Sequence, residues 1–247
     1  MSGRIHLFTD LEKLSEAAVE RIADIAAQAI TQRGAFHIAL SGGATPRHLY
    51  EHLAHEPYRS DIDWSRVHVY FGDERCMPPD HPDSNFRMAN AALLMHVPIP
   101  SAQIHRIVAN LAYVRQCAVA YAAELAAHLP AGNLAPQFDL VLLGVGPDGH
   151  IASLFPATGS ALTERRLATA VYADSMRAWR ISITFPVINQ ARHILLLASG
   201  ASKADVLERV FRDEPSATPL PVQRLQPLGE LEWYLDQAAA ARLPVQA

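Results

Sequence analysis

The chain has 247 residues, half of them hydrophobic and 19% charged, with 21 basic and 25 acidic side chains and a net charge of −4. This is the composition of an α/β domain with a full core; no run of like charge offers a footprint for nucleic acid or an anionic membrane surface, and no apolar run nears the ~18 residues that span a bilayer. Cys76 and Cys117 make neither a disulfide framework nor a CxxC metal site, and MSGRIHLFTDLEKL lacks the form of a signal peptide, so a reducing, cytoplasmic setting is expected.

Thr9 and Glu12 form a capping-box pattern, and Leu11, Leu14, Ala18, Ile22, Ile25 and Ala29 follow helical spacing up to Gly34. Ala35–Leu40 reads as a strand, SGGATP turns the chain, and Thr45-Pro46 opens a helix that runs to about Ala54. Val67–Phe71 is a second strand, followed by the polar loop GDERCMPPDHPDSN and a helix over Phe86–Leu94. Asn110 caps a helix with Leu111, Val114, Ala118, Tyr121 and Leu125 on one face. Phe138–Leu143, Ile181–Phe185 and Ile194–Ala198 read as further strands, Ser202 opens a helix to about Phe211, and a last helix is expected near Leu231–Ala241. Short apolar strands alternating with helices predict a mainly parallel sheet covered on both faces. No repeat, low-complexity segment or linker divides the chain. The proline-bearing stretches 78–82 and 215–221 read as loops within one domain, 1–247.

In such a sheet, ligands bind beyond the carboxyl ends of the strands. Four predicted strands end there in polar residues: Ser41-Gly42-Gly43-Ala44-Thr45, Asp73-Glu74-Arg75, Gly144 to His150, and Ser199-Gly200 with Lys203. The SGGATP turn reads equally as a phosphate cradle at a helix N-terminus or as a plain strand-to-helix connection. DER alone is a surface ion pair, but at a strand end Arg75 can grip an anion at two points. GVGPDG matches GxGxxG, yet Pro156 leaves no room for the long crossover helix of a dinucleotide fold. The loop instead presents Asp148 two residues before His150, where a carboxylate can orient an imidazole. His150 alone among the 12 histidines has this setting; His48, His52 and His55 decorate a helix. Of the 21 basic residues only Lys13 and Lys203 are lysine, which favours a wanted ammonium at 203. Arg180, before ISITF, can point to the same rim or to solvent. No His, Cys and carboxylate cluster with metal-ligand spacing is evident, so no metal is expected.

LSGGATPRHLY, FGDERCMPPDHPDSNF, FDLVLLGVGPDGHIASLFP, RISITFPVINQARHILLLASGASKADVL and LEWYLDQAA, in this order, resemble the 6-phosphogluconolactonases of the pentose phosphate pathway over about residues 5–241. The resemblance implies a three-layer αβα sandwich shared with glucosamine-6-phosphate deaminases, with no cofactor and no catalytic metal. It implies His150 as the catalytic histidine beside Asp148. It implies a site for a small phosphorylated sugar lactone at Ser41, Gly42, Gly43, Thr45, Asp73, Arg75, Ser84, Asn85, Gly146, Arg180 and Lys203. No nucleic acid or membrane partner is expected, and the chain is expected to be a monomer or a weak homo-oligomer. Arg47 stands where lysine is common, and Cys76-Met77 where a β-branched residue is common. The deaminase motif DGHIAFNEP carries an acid where this chain has Phe155, which argues against ring opening and isomerisation. A sugar-phosphate-sensing regulator would need a DNA-binding module, and the ~34 residues before the first core strand make one helix, not a helix-turn-helix. A serine nucleophile is not expected, because no GxSxG elbow exists.

Overall fold

The computed structural model describes residues 3–212 and 219–243, so positions 215–218 of the second proline-bearing stretch lie outside the described residues. In chain order the strands are β1 (Arg4–Phe8), β2 (Phe36–Leu40), β3 (Val67–Phe71), β4 (Asp73–Arg75), β5 (Ile104–His105), β6 (Leu140–Gly144), β7 (Ala168–Ala173), β8 (Ala178–Ile183), β9 (His193–Ala198) and β10 (Glu230–Asp236). The helices are α1 (Leu11–Arg33), α2 (Ala44–Leu53), α3 (Tyr58–Asp61), α4 (Asn85–Ala89), α5 (Val114–His128), α6 (Gly159–Leu162), α7 (Phe185–Gln190) and α8 (Ala204–Phe211). None is long and apolar enough to cross a membrane.

Seven strands form one sheet in the order β1-β10-β9-β6-β2-β3-β5, and every pairing in it is parallel. Strands β6 and β9 are near-continuous apolar runs because both their faces are covered. Right-handed crossovers then fix the layers. From β1 the chain steps through β2 and β3 to β5 in one direction, which puts α1 and α2 on one face, where they pack together. From β5 it returns through α5 to β6, then to β9 and β10, which puts α5 and α8 on the other face. The direction reverses between β2 and β6, so their carboxyl ends diverge into a crevice.

The N-terminus of α1 is capped by Asp10, which accepts from Lys13 N–H, and not by Thr9. Leu14, Ala18, Ile22, Ile25 and Ala29 face the core, and Gly34 ends the helix at φ 83° with its N–H on Ile30 O. Helix α2 begins at Ala44 with Gly43 at the cap, so Thr45 lies inside its first turn. Helix α4 opens at Asn85 and continues as one π turn over Asn90–Leu94. The helix expected near Leu231–Ala241 is instead strand β10, inserted between β1 and β9 and buried from Leu231 to Asp236. The aromatic and β-forming run LEWYLD needs cover on both faces, and only an interior strand supplies it. The strand expected over Ile181–Phe185 ends at Ile183 and is antiparallel. It belongs to a second sheet, β4-β8-β7, in which Asp73-Glu74-Arg75 is a strand and not a loop.

Candidate active site

Eleven of the thirteen residues singled out in the sequence line one cleft of about 370 Å³ at the carboxyl ends of β2 and β6: Ser41, Gly42, Gly43, Thr45, Asp73, Arg75, Asn85, Gly146, His150, Arg180 and Lys203. Asp148 and Ser84 do not line it: Ser84 is buried, and Asp148 is a half-exposed neighbour of His150.

The loop after β6 is built to hold one imidazole. Gly146 N–H donates to His150 O, and Gly149 takes φ 80°, closing a tight turn. Asp148 Oδ1 accepts from the His150 backbone N–H at 3.3 Å and lies 2.6 Å from Nδ1. A carboxylate there fixes the proton on Nδ1, so Nε2 carries the lone pair. Nε2 has no hydrogen-bond partner among the described residues. The imidazole packs on Phe155 with ring centroids 4.4 Å apart. A Cβ on Gly146 would sit on the His150 ring, so this glycine makes room for the histidine.

The loop after β2 is shaped by protein contacts too. Buried Tyr50 donates to Ser41 O at 2.8 Å and accepts from Ser41 N–H at 2.9 Å. A Cβ on Gly42 would collide with the Asn85 amide, whereas Gly43 needs its glycine for φ 108°. The first N–H groups of α2 open onto the cleft with no partner earlier in the helix.

Strands β4 and β8 supply the charged wall. Register pairs Arg75 with Arg180 and Asp73 with Ser182, so all four side chains share one face. Asp73, 6% exposed, accepts from Ser153 Oγ at 2.5 Å and Asn85 Nδ2 at 3.0 Å, and Arg180 Nη1 lies 3.5 Å away. Burial pushes the Arg180 guanidinium below its ordinary range; Asp73 opposes that shift and Arg75 adds to it. Arg75 donates to Asp83 O. The Nε atoms of both arginines are buried without a hydrogen-bond partner. Lys203 donates from Nζ to Val145 O at 2.9 Å, and burial lowers its ammonium pKa. Its loop is set by Asp236, which accepts from Ser199 Oγ and Gly200 N–H.

Ser84 caps α4 and donates to Glu74 at 3.0 Å, so its hydroxyl does not reach the cleft. Glu74 also takes the N–H groups of Arg75, Asn85 and Phe86, yet burial still raises its pKa. Sequence reasoning read Glu74 as half of a surface pair and passed over Tyr50, Ser153 as a partner of Asp73, and Asp236. The expectation of no ligand-like cluster needs correction outside the cleft. Among the described residues, Glu12–His48–His52, His105–Glu124–His128 and His193–Glu230–Glu232 each bring ligating atoms within 4.8 Å. Tertiary packing assembles them, and none lines the cleft.

The family model described as glucosamine-6-phosphate isomerases/6-phosphogluconolactonase matches residues 9–233. A 6-phosphogluconolactonase of Synechocystis sp. is 42% identical, covering 98% of this chain and 99% of its own. The solved 6-phosphogluconolactonase of Trypanosoma brucei superposes with a TM-score of 0.87 at 29% identity, covering 98% of this chain and 99% of that one. A monomeric glucosamine-6-phosphate deaminase superposes with a TM-score of 0.80 at 20% identity, covering 97% and 99%, a likeness of fold alone.

Proposed function

The chain belongs to the glucosamine-6-phosphate isomerase and 6-phosphogluconolactonase family, and from that premise we propose that it hydrolyses 6-phosphoglucono-1,5-lactone to 6-phosphogluconate, the ring-opening step of the oxidative pentose phosphate pathway, with His150 as general base. The observation that carries the reading is the pairing in one cleft of an Asp-oriented imidazole, Nδ1 at 2.6 Å from Asp148, with two guanidinium groups whose Nε atoms lack partners.

The substrate phosphate sits against Arg75, Arg180, Lys203 and the N-terminus of α2, where cations and free N–H groups meet. This anchoring aligns the lactone carbonyl with His150. Nε2 takes a proton from water as its oxygen attacks the carbonyl carbon. The imidazolium is stabilised through Nδ1–H by Asp148. The tetrahedral intermediate collapses by breaking the bond from that carbon to the ring oxygen, and Nε2–H returns its proton to the leaving oxygen. Asp73, in the cleft wall, acts through its neighbours: it holds Arg180, Asn85 and Ser153 in one arrangement.

Deamination is disfavoured by Phe155, which packs an apolar ring against His150 where ring opening would call for an acid. The deciding experiment assays the protein with freshly generated 6-phosphogluconolactone and, separately, with glucosamine 6-phosphate. Acid release above the spontaneous rate from the first, and no ammonia from the second, is expected. Ammonia release with no lactone hydrolysis would overturn the reading.

A further inference from the structure

Away from the cleft, the first turn of α1 and one face of α2 bring three side chains with ligating atoms together. His48 and His52 are one turn apart on α2, a spacing that puts both imidazoles on one helix face. Both turn Nε2 towards Glu12: His48 Nε2 lies 2.8 Å from Oε2, and His52 Nε2 lies 3.4 Å from Oε1. The rings meet edge to face with centroids 4.9 Å apart. One ligating atom from each residue lies within 4.8 Å of the other two. A tetrahedral zinc ion holding nitrogens at about 2.0–2.1 Å sets its ligands about 3.3 Å apart, so small side-chain rotations convert this arrangement into a chelate.

His48 carries a second mark of a metal ligand. Its Nδ1 faces Glu51 Oε2 at 3.8 Å, and Glu51 is itself held by Arg47 at 2.9 Å. Nε2 of His48 is thus within hydrogen-bond reach of Glu12, while Nδ1 has a second carboxylate in front of it, beyond direct hydrogen-bond distance. A metal ion on Nε2 would leave Nδ1–H turned towards Glu51. That is the arrangement in which an outer carboxylate orients a metal-bound histidine.

The two other clusters are already occupied by protein groups. Arg21 donates to both Glu230 and Glu232 at 2.8 Å. His105 is engaged at both ring nitrogens, by Glu124 at 2.7 Å and His68 at 3.2 Å, and His128 turns Nδ1 to a backbone carbonyl. Glu12, by contrast, forms no ion pair with lysine or arginine among the described residues, and its side chain is 53% exposed, open to ion entry and to water ligands.

We propose that Glu12, His48 and His52 form a zinc(II) site, with water completing the coordination. Two imidazole nitrogens and one carboxylate suit zinc and its late first-row neighbours. They do not suit magnesium, which demands octahedral oxygen ligands. The ion clamps the first turn of α1 to α2, the helix that begins at the Gly42–Thr45 turn, and so stabilises the fold without entering the chemistry.

The test is calorimetric titration of the EDTA-stripped full chain with Zn²⁺, with Mg²⁺ as the control ion, together with melting curves with and without Zn²⁺. The parent takes up one more saturable equivalent of Zn²⁺ than His48→Ala or His52→Ala, and only the parent gains Tm from it. Mg²⁺ has neither effect. Glu51→Gln keeps all three ligands and weakens that equivalent by about 10-fold. His52→Gln, which can still hydrogen-bond to Glu12 but ligates zinc poorly, behaves as His52→Ala does. It serves as the second variant should the alanine variant fold poorly in EDTA. A parent with no saturable Zn²⁺ uptake, or uptake unchanged in the His52→Gln variant, overturns the proposal.

Discussion

Arg75 and Arg180 stand directly opposite one another across β4 and β8. Like charges so placed repel, and burial depresses the Arg180 pKa further. Asp73 neutralises one of the two charges, which leaves Arg75 and Lys203, of the three cations that line the cleft, with no carboxylate in ion-pair contact. In the proposed reading, the phosphate dianion of the substrate offsets this excess of positive charge. Removal of Arg180 would leave Asp73 buried and unpaired, so Arg75→Ala and Lys203→Ala are the cleaner probes. Each should lower kcat/KM on the phosphorylated lactone by about 10- to 100-fold, the worth of a charged hydrogen bond. Both KM and kcat should suffer, because lost anchoring misaligns the carbonyl. Unphosphorylated gluconolactone should be a poor substrate for the parent and little further harmed. The comparison is two lactones by two enzymes; equal proportional losses on both lactones would remove the phosphate from these residues.

The loop after β6 is set by its glycines. Gly146 has an ordinary negative φ, so alanine fits its backbone, but the added Cβ would occupy the place of the His150 ring. Gly146→Ala should therefore fold with nearly the parent Tm while losing about 100-fold in kcat, as expected for a catalytic group displaced by roughly 1 Å. A large fall in Tm with kcat retained in the folded fraction would show that the glycine serves only the turn. This loop was legible in the sequence because a strand, a GxGxDG turn and a histidine follow one another within a few residues. Strands β2, β3, β6 and β9 were legible for a similar reason: each is a short apolar run between turns. Strand β10 was not, since LEWYLD runs into DQAAAA, whose helical propensity is local, while the burial that selects a strand comes from β1 and β9. Strand β4 was hidden because Asp73-Glu74-Arg75 is a polar run. Its carboxylates can be buried only by Ser153, Asn85, Ser84 and Arg180, which the fold delivers from distant segments.

The chain's route through the sheet explains why separate loops share one cleft. The turn after β2 leads to one face and the loop after β6 to the other, and the crevice between them opens where direction reverses. The same packing has a pH signature. His37, 6% exposed in β2, is pulled down to about 4 from 6.5, mainly by burial and then by His68, His105 and His128. The folded state therefore keeps His37 neutral where the unfolded chain binds a proton. Its contribution is present above the unfolded value and is lost as pH falls from about 6.5 towards 4, up to ~3 kcal/mol in all. Between about pH 7 and pH 4.5 the parent Tm should fall, and His37→Phe, which cannot titrate, should fall less. Parallel curves for the two proteins would show that other groups govern the acid limit.

In the proposed reaction one imidazole, oriented by Asp148 and left free at Nε2, activates water on a lactone held by its phosphate. The most direct measurement is kcat and KM of His150→Ala on freshly generated 6-phosphogluconolactone, alongside the Tm of the variant. Loss of the base should lower kcat by about 100-fold or more with KM nearly unchanged and the fold intact. A folded His150→Ala enzyme with near-parent kcat would contradict it and reduce His150 to a packing residue of the Asp148–His150 loop.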